Sequence, residues 1–406
     1  MSKKFETFSP EAQARLAKET KVHQERMSKI PYIEGKPELF ETKILRVKQS
    51  STENAKNILA ATRDLGSGKA LMPVLRELLG DEDVQVDIAT DGLAQEVVQK
   101  QFDTTDITPS GMILEADNVI GTPDVIIMDR SGETGVDNYL LATFPEVPKV
   151  LIEDIYGNAA GYLSTLRERE LPLPDKICVM DNGAKELIVK EFPDLADRVV
   201  VTGQPAFDRF AHEDTEKIAQ ETRTKLKLRP EDKLVVFMSS IDEPDKIAKM
   251  AAALKQSGEN FYFVFRRHPK DNVSYETYKR MLVDAGINVL DTKGFTSDEI
   301  SAAADVVLTT WSTEGINAIY RRKPTAHITD TDFEILAGYE LPLVPVRLGA
   351  SVGIDNMNDL TKELPQLLDP NSALNKSLKE KMEQEYPVDG NSAKRVADIV
   401  RAYLEK

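Results

Sequence analysis

The chain has 406 residues, 68 Asp and Glu against 52 Lys and Arg, and a formal net charge of −16 at pH 7. That balance argues against holding nucleic acid by neutralising phosphates, and the length exceeds what one ordinary core fills, so two domains are expected. The lone Cys178 excludes an internal disulfide and a cysteine-based zinc cage and fits a reducing compartment. The opening MSKKFETFSPEAQ has no apolar signal core, and no stretch nears the roughly 18 apolar residues of a membrane helix. A cytoplasmic protein is expected.

In chain order, residues 1–50 read as a polar helical extension, with Pro10 placed to open a helix after Ser9. From Asn57 short apolar runs alternate with amphipathic ones: NILAAT, the helix after Gly68, VQVDIAT, GLAQEVVQKQF, DVIIMD, the 134–143 segment, KVLIED, NAAGYLSTLRER, KICVM, GAKELIVKEF and RVVVTG. This is the texture of buried parallel strands separated by helices, and it gives an N-terminal Rossmann-like domain over 51–210. A charged helical stretch forms a linker over 211–232. The pattern then restarts with LVVFMSS, FYFVFRRHP, INVLD, DVVLTT, PTAHIT and LPLVPV, each joined by a helix. A second Rossmann-like domain therefore covers 233–385, and a helix over 386–406 crosses back to the first domain. The fold class is α/β, two parallel domains facing a cleft, with ligands at the C-terminal ends of strands.

The stretch GSGK at 66–69 invites comparison with a triphosphate-binding loop. That loop needs a Gly five residues before the Gly-Lys pair and a hydroxyl just after it. Here those positions hold Arg63 and Ala70, so ATP hydrolysis is not expected. The remaining reading is a strand, a glycine-containing turn and a helix with Leu71, Val74, Leu75 and Leu78 on one face.

Four stretches together resemble the two-domain glycosyltransferase architecture GT-B, near the branch of UDP-N-acetylglucosamine 2-epimerases, lipid-A disaccharide synthase and CDP-glycerol glycerophosphotransferases. LAATRDLGSGKALMPVLREL is similar to the first strand, glycine-rich loop and helix of the acceptor domain. RVVVTGQPAFDRF is similar to the V-T-G-N-P-x-x-D exit from that domain. FVFRRHPKDN resembles the H-P motif of the donor domain, and DVVLTTWSTEGINAIYRRKPTAHI the segment that holds the donor nucleotide. The resemblance covers roughly residues 55–405. Aligned on Lys323-Pro324, the family's ribose-binding Glu falls on Asn317, the Gly before Lys-Pro on Arg322, and the Gly of S-G-S near Trp311. The epimerase signatures G-T-R-P-E and H-V-E-A-G are replaced by Ala-Thr-Arg-Asp-Leu and Ile-Glu-Asp-Ile-Tyr.

What the resemblance implies is transfer of a sugar from a nucleoside-diphosphate donor to a glycan or other hydroxyl acceptor, with the nucleotide sugar as substrate and no further cofactor. Polyol-phosphate transfer, sugar-nucleotide epimerisation, or a silent GT-B-like binding protein are the alternatives, and a homodimer is left open. Thr310, Trp311, Ser312 and Thr313 sit between a buried strand and a helix, where free N–H groups and hydroxyls suit a pyrophosphate; Ser312 or Thr313 equally serves as an N-cap. Arg267 and His268 end a strand, and an arginine fork suits phosphate. Arg63, Gly66, Ser67 and Gly68 form the acceptor-side loop. For a general base, Asp64 and Glu153 are chosen from a set that also includes Asp129, Glu133 and Asp154. The four histidines are scattered and Asp330-Thr331-Asp332 belongs to another fold's motif, so no metal is expected. Tyr320–Lys323 read as a basic surface or rim segment.

Overall fold

The computed structural model describes residues 43–49, 55–63, 65–90, 94–108, 120–129, 136–240, 242, 244–268, 271–310, 312–329 and 343–405. The chain divides into two compact units, Met1–Ala206 with Asn391–Lys406, and Phe207–Gly390.

The first unit holds eight strands: β1 (Lys43–Lys48), β2 (Lys56–Thr62), β3 (Val84–Thr90), β4 (Thr105–Asp106), β5 (Val125–Asp129), β6 (Lys149–Ile152), β7 (Lys176–Val179) and β8 (Val199–Val201). Their order is β4-β1-β3-β2-β5-β6-β7-β8. Every pair from β3 across to β8 is parallel, and β1 runs antiparallel against β3 and β4. Helices α1 (Leu65–Leu79), α2 (Ala94–Gln101), α3 (Val136–Thr143), α4 (Asn158–Glu168) and α5 (Asn182–Glu191) alternate with them. Strands covered on both faces read as near-continuous apolar runs, and the buried Val125, Ile126, Ile127 and Met128 of β5 show it. On α1, Leu71, Val74, Leu75 and Leu78 are all buried.

The same core is completed by a helix from the far end of the chain, Ser392–Leu404. Its Val396, Ala397, Val400 and Leu404 join one apolar cluster with Ile58, Leu71, Leu75 and Val125. Arg401 clamps Asp81 through Nε and Nη2 at 2.9 and 3.1 Å, and Arg395 Nε donates to the Thr202 carbonyl at 2.6 Å. Gly203, at φ +82°, lies so close to Ser392 that a side chain there would collide with it.

The second unit is a parallel five-stranded sheet: β9 (Leu234–Met238), β10 (Tyr262–Arg266), β11 (Val306–Thr309), β12 (Thr325–Ile328) and β13 (Val352–Ile354), in the order β10-β9-β11-β12-β13. Its helices are α6 (Thr215–Lys225), α7 (Pro244–Gln256), α8 (Tyr275–Asp284), α9 (Ser297–Ala303), α10 (Thr313–Tyr320), α11 (Val344–Arg347), α12 (Met357–Leu368) and α13 (Ala373–Glu385).

Five expectations are corrected. The sheet begins at Lys43, inside the expected extension; KILRVK buries only Ile44 and Leu45, so its charges concealed an edge strand. The expected linker 211–232 contains α6 and belongs to the second unit. Gly66, Ser67 and Gly68 are not a loop: α1 starts at Leu65, three residues after β2 ends at Thr62. INVLD makes only an isolated bridge, Val289 to Phe263. In LPLVPV the described part, from Leu343, turns into the short helix α11, opened by Pro345 at its start.

Candidate functional site

In the second unit, β9 comes first in the chain, β10 lies to one side of it and β11 to the other. The crevice at the C-terminal ends of β9 and β11 is therefore the topological switch point, where open α/β sheets receive ligands. Three stretches of chain meet there.

From β9, Ser239 Oγ and the Ser240 N–H donate to Asp242 Oδ2 at 2.8 and 3.0 Å. Burial pushes the Asp242 carboxyl above the ordinary range, and donation from Ser239, Ser240 and Thr310 pulls it back. From β11, Thr309 Oγ1 bonds the Met238 carbonyl at 2.8 Å and receives the Ser312 N–H at 3.2 Å. Ser312 then caps α10, its Oγ accepting from the Glu314 N–H at 3.3 Å. In the first turn the Glu314 N–H goes to Ser312 Oγ and the Gly315 N–H to the Ser312 carbonyl at 2.8 Å, which leaves the Thr313 N–H to offer an anion. From β10 comes Arg266, half-buried and reaching Ser297 Oγ at 3.5 Å. Burial lowers its pKa, and the negative charge of Glu314 acts against that.

The close approach of α10 to the sheet depends on Gly315. A Cβ there would stand 2.6 Å from Thr309 Cγ2 and 3.2 Å from His327 Nε2. Both neighbours are fixed: Thr309 by its bond to Met238, and His327 by Nδ1 contacting Ser351 Oγ at 2.7 Å. Gly315→Ala should therefore destabilise the second unit by about 1–3 kcal/mol through overpacking, read as a lower urea midpoint at unchanged slope. A midpoint equal to wild type would show that the helix simply slides away.

Of the residues expected here, Thr310 is buried beside Asp242, Ser312 is the cap, Thr313 is the exposed first residue of α10, and Asn317 is buried one turn on, beside the Glu314 carboxyl. Trp311 lies outside the described residues. Arg267 is occupied differently: its Nη1 donates to the carbonyls of Asp271 and Val273 at 2.6 and 2.9 Å, so it staples its own loop. His268 is half-buried in that connection, its carbonyl accepting from the Asp271 N–H at 3.0 Å. Two residues that the sequence reading passed over take larger parts. Arg266 is the last residue of β10 and Arg267 the first past it, and both line a cavity of about 370 Å³ with Tyr275, Asp291 and Lys293; what separates them is that Arg267 is spent on the Asp271 and Val273 carbonyls. Glu314 is shielded at the start of α10, and burial raises its pKa. The sequence signal for Glu314 was an acid in the first helical turn, which ordinary helices also show.

In the first unit the switch point lies between β2 and β5. Arg63 follows β2, and its carbonyl accepts from the Ala94 N–H at 2.9 Å; Asp64 and Glu133 lie outside the described residues. Gly68, in the first turn of α1, would place a Cβ 3.6 Å from Thr62 Oγ1, ordinary contact that does not demand glycine. Asp129 is buried at the end of β5. Glu153, just past β6, is 2% exposed. The Ala159 N–H of α4 points at its Oε1 at 3.4 Å, and Gln204 Nε2 pins the Glu153 and Asp154 carbonyls at 2.8 Å each. Nearby, Asp181 caps α5 through the Ala184 N–H at 2.8 Å and accepts a short bond from the Tyr156 hydroxyl. Burial first, then the charges of Asp154 and Asp181, raise Glu153 well above the ordinary carboxylate range. A carboxyl tuned upward in this way is suited to proton transfer near neutral pH.

No protein-family model and no curated protein matches the chain. Solved structures do. The chain is similar to an S. aureus MnaA structure with UDP, at 17% identity and a TM-score of 0.62 over 86% of this chain and 97% of that one. It is similar to a UDP-GlcNAc 2-epimerase from Neisseria meningitidis bound to UDP-GlcNAc, at 16% identity and a TM-score of 0.62 over 86% and 100%. A glycosyltransferase from Rickettsia africae ESF-5 matches at 14% identity and a TM-score of 0.55 over 87% and 100%. The chain has the GT-B fold. Among the described residues no helix is long and apolar enough to cross a membrane.

Proposed function

We propose that the second unit binds a nucleoside-diphosphate sugar and that the protein transfers the sugar to a hydroxyl acceptor. One observation carries this reading: at the β9–β11 switch point the start of α10 meets the buried Thr310 and its cap Ser312, and Arg266, at the end of β10, lies near enough to feel the charge of Glu314 in the first turn of α10. In this reading the diphosphate takes the Thr313 N–H and the Ser312 and Thr310 hydroxyls at the start of α10, and Arg266 offsets the charge that grows on it as the sugar leaves. Asn317 and Glu314, a turn inside, are the candidates for the ribose hydroxyls. Glu153 serves the proton transfer. The nucleotide in the S. aureus structure and the sugar nucleotide in the N. meningitidis structure make UDP the first ligand to try. The same two neighbours support epimerisation of a UDP-sugar as the second reading.

A thermal-shift series with UDP, GDP, CDP, ADP and their sugars tests the first step. UDP at a hundred times its Kd should stabilise the protein by about 2.7 kcal/mol. Arg266→Ala should lose a charge-assisted contact of about 1.5–3 kcal/mol, roughly a 10- to 150-fold weaker Kd by calorimetry. Arg267→Ala, which touches its own loop, should leave affinity nearly unchanged. Equal weakening by both variants, or no binding of any nucleotide, would remove the proposal and favour a silent GT-B-like protein. Among the described residues no group of three His, Cys, Asp or Glu can hold a metal ion, and the proposed chemistry runs without one. Nucleotide binding and turnover should both survive EDTA; loss that added divalent ion restores would contradict this. A cytoplasmic setting is proposed on the lone buried thiol, Cys178.

A further inference from the structure

The second unit has another cavity, of about 790 Å³, far from the strand ends described above. One wall is the face of α6 that carries Ala219, Gln220 and Arg223; another is Leu228 and Pro230; the third is the end of α10 with Arg322 and Lys323. Lys323 stands two residues before β12 begins, so this cavity lies at the N-terminal edge of the sheet. The eight residues of α10 separate it from the crevice by about 12 Å, at roughly 1.5 Å per residue.

In a chain of net charge −16, this cavity brings Arg223, Arg321, Arg322 and Lys323 together, with Glu216 the one acid in its lining. Arg321 turns its guanidinium away to Glu213 and Asp298 and belongs to the wall. Arg223 is held in place by the Ala303 carbonyl and Asp305 at 3.0 and 3.1 Å. Arg322, at φ +61°, donates to the carbonyls of Ile319 and Tyr386 at 3.2 and 2.9 Å, which satisfies hydrogen bonds without neutralising its charge. Among the described residues no acceptor bonds the Lys323 ammonium. Burial pushes its pKa down to about 8, and Arg223, Arg321 and Lys379 add to the effect while Asp305 opposes it. Cations at a helix C-terminus answer the helix dipole, and that accounts for some of this charge. It does not account for an ammonium without a bonded partner among the described residues, beside two arginines, in a space the size of a ligand pocket, roughly 300–1,000 Å³.

We propose that this cavity is a second binding site, for a small molecule with a phosphate or carboxylate head and an apolar body. The head would sit between Lys323, Arg322 and Arg223, and the body against Leu228, Pro230 and Ala219. The site is independent of the nucleotide reading. Because α10 starts at one site and ends at the other, a molecule held at its C-terminal end is positioned to affect what its N-terminus binds.

The test follows acetylation of Lys323 in the whole protein by peptide mass spectrometry, with saturating UDP present throughout. Inorganic phosphate supplies the head alone, and phenyl phosphate the head with an apolar body. The readout is local to Lys323, so its failure and a failure of UDP to bind are separate results. Phenyl phosphate at ten times its Kd should slow acetylation about tenfold, and inorganic phosphate should need a higher concentration for the same protection. Arg322→Gln should weaken that protection severalfold. Lys323→Met should melt no lower than wild type without added anion, since an ammonium lacking a bonded partner makes no contact that the fold would lose. Unchanged acetylation with both probes at millimolar concentration would overturn the site. Equal protection by the two probes would overturn the apolar body, and a lower melting point for Lys323→Met would make the ammonium a structural group instead.

Discussion

Arg321→Met should destabilise the second unit by about 3–5 kcal/mol, the cost of removing one partner from a buried ion pair. The guanidinium is fully buried. Its Nε and Nη2 grip both oxygens of Glu213 at 2.6 and 2.7 Å, and Nη2 also reaches Asp298 at 2.7 Å. Arg209 takes Asp298 from the other side with two bonds of 2.8 Å. The Phe210 ring lies between the two arginines, 4.5 Å from Arg209 and 4.8 Å from Arg321, and stacks on Tyr320. Methionine fills much of the space and leaves Glu213 facing a shielded pocket without a cation. The pH dependence supplies an independent check. Burial alone would raise Asp298, but Arg209 and Arg321 bring it down from 3.8 to about 2. A depressed carboxylate stabilises the fold above its unfolded pKa, and that contribution disappears as pH falls toward the folded value. The wild type should therefore lose stability between about pH 4 and pH 2, and the variant should lose less there because its Asp298 starts higher. Denaturant melts across that range measure both effects; an unchanged midpoint would mean that Phe210 and Tyr320 alone hold the corner.

Glu153→Gln should have the opposite effect on stability and the largest effect on turnover. The wild-type carboxyl titrates well above 4.5, chiefly because it is buried. For a raised pKa the sign reverses: the native state holds the proton more tightly, and the benefit is complete below the unfolded pKa and lost as pH rises through the folded one. Glutamine copies the protonated shape and never ionises. The variant should match wild type in acid and become the more stable of the two as the solution turns neutral and alkaline. If Glu153 performs the proton transfer, turnover should fall about 10²–10⁴-fold. Stability curves that stay parallel across the whole pH range would show an ionised Glu153 in the native protein. A stability gain with full turnover would keep the buried acid and discard its catalytic role.

The parts of the fold that show in the sequence are those where one periodicity dominates. LVVFM and the VVL of β11 are wholly apolar because helices cover both faces of a parallel sheet, and such runs are hard to mistake. KILRVK shows only two buried residues between lysines and an arginine, so the edge strand it forms is invisible without its partner β3. INVLD has a strand's composition but finds one bridge, because pairing depends on neighbours and not on propensity. The crevice in the second unit was legible as a place, since strand ends and a capped helix leave marks at Thr310 and Ser312. The choice between Arg266 and Arg267 was not, because it turns on the carbonyls of Asp271 and Val273, which occupy Arg267 and not Arg266. Arg321 was read as surface; its burial depends on Glu213, 108 residues away, and nothing local records that pairing.

The helix Ser392–Leu404 has a consequence for how the protein is made. A ribosome delivers residues 43–206 first and then all of 207–390, while the final apolar face of the first unit is still being synthesised. At the usual 5–20 residues per second, that interval is on the order of ten to forty seconds. Throughout it, Leu71, Leu75 and Val125 lack the side chains that will cover them. The second unit, continuous in sequence, needs no such delay and can finish folding first. The order of maturation is thus inverted relative to the order of synthesis, and the nascent first unit is the natural client for a chaperone that shields apolar surface.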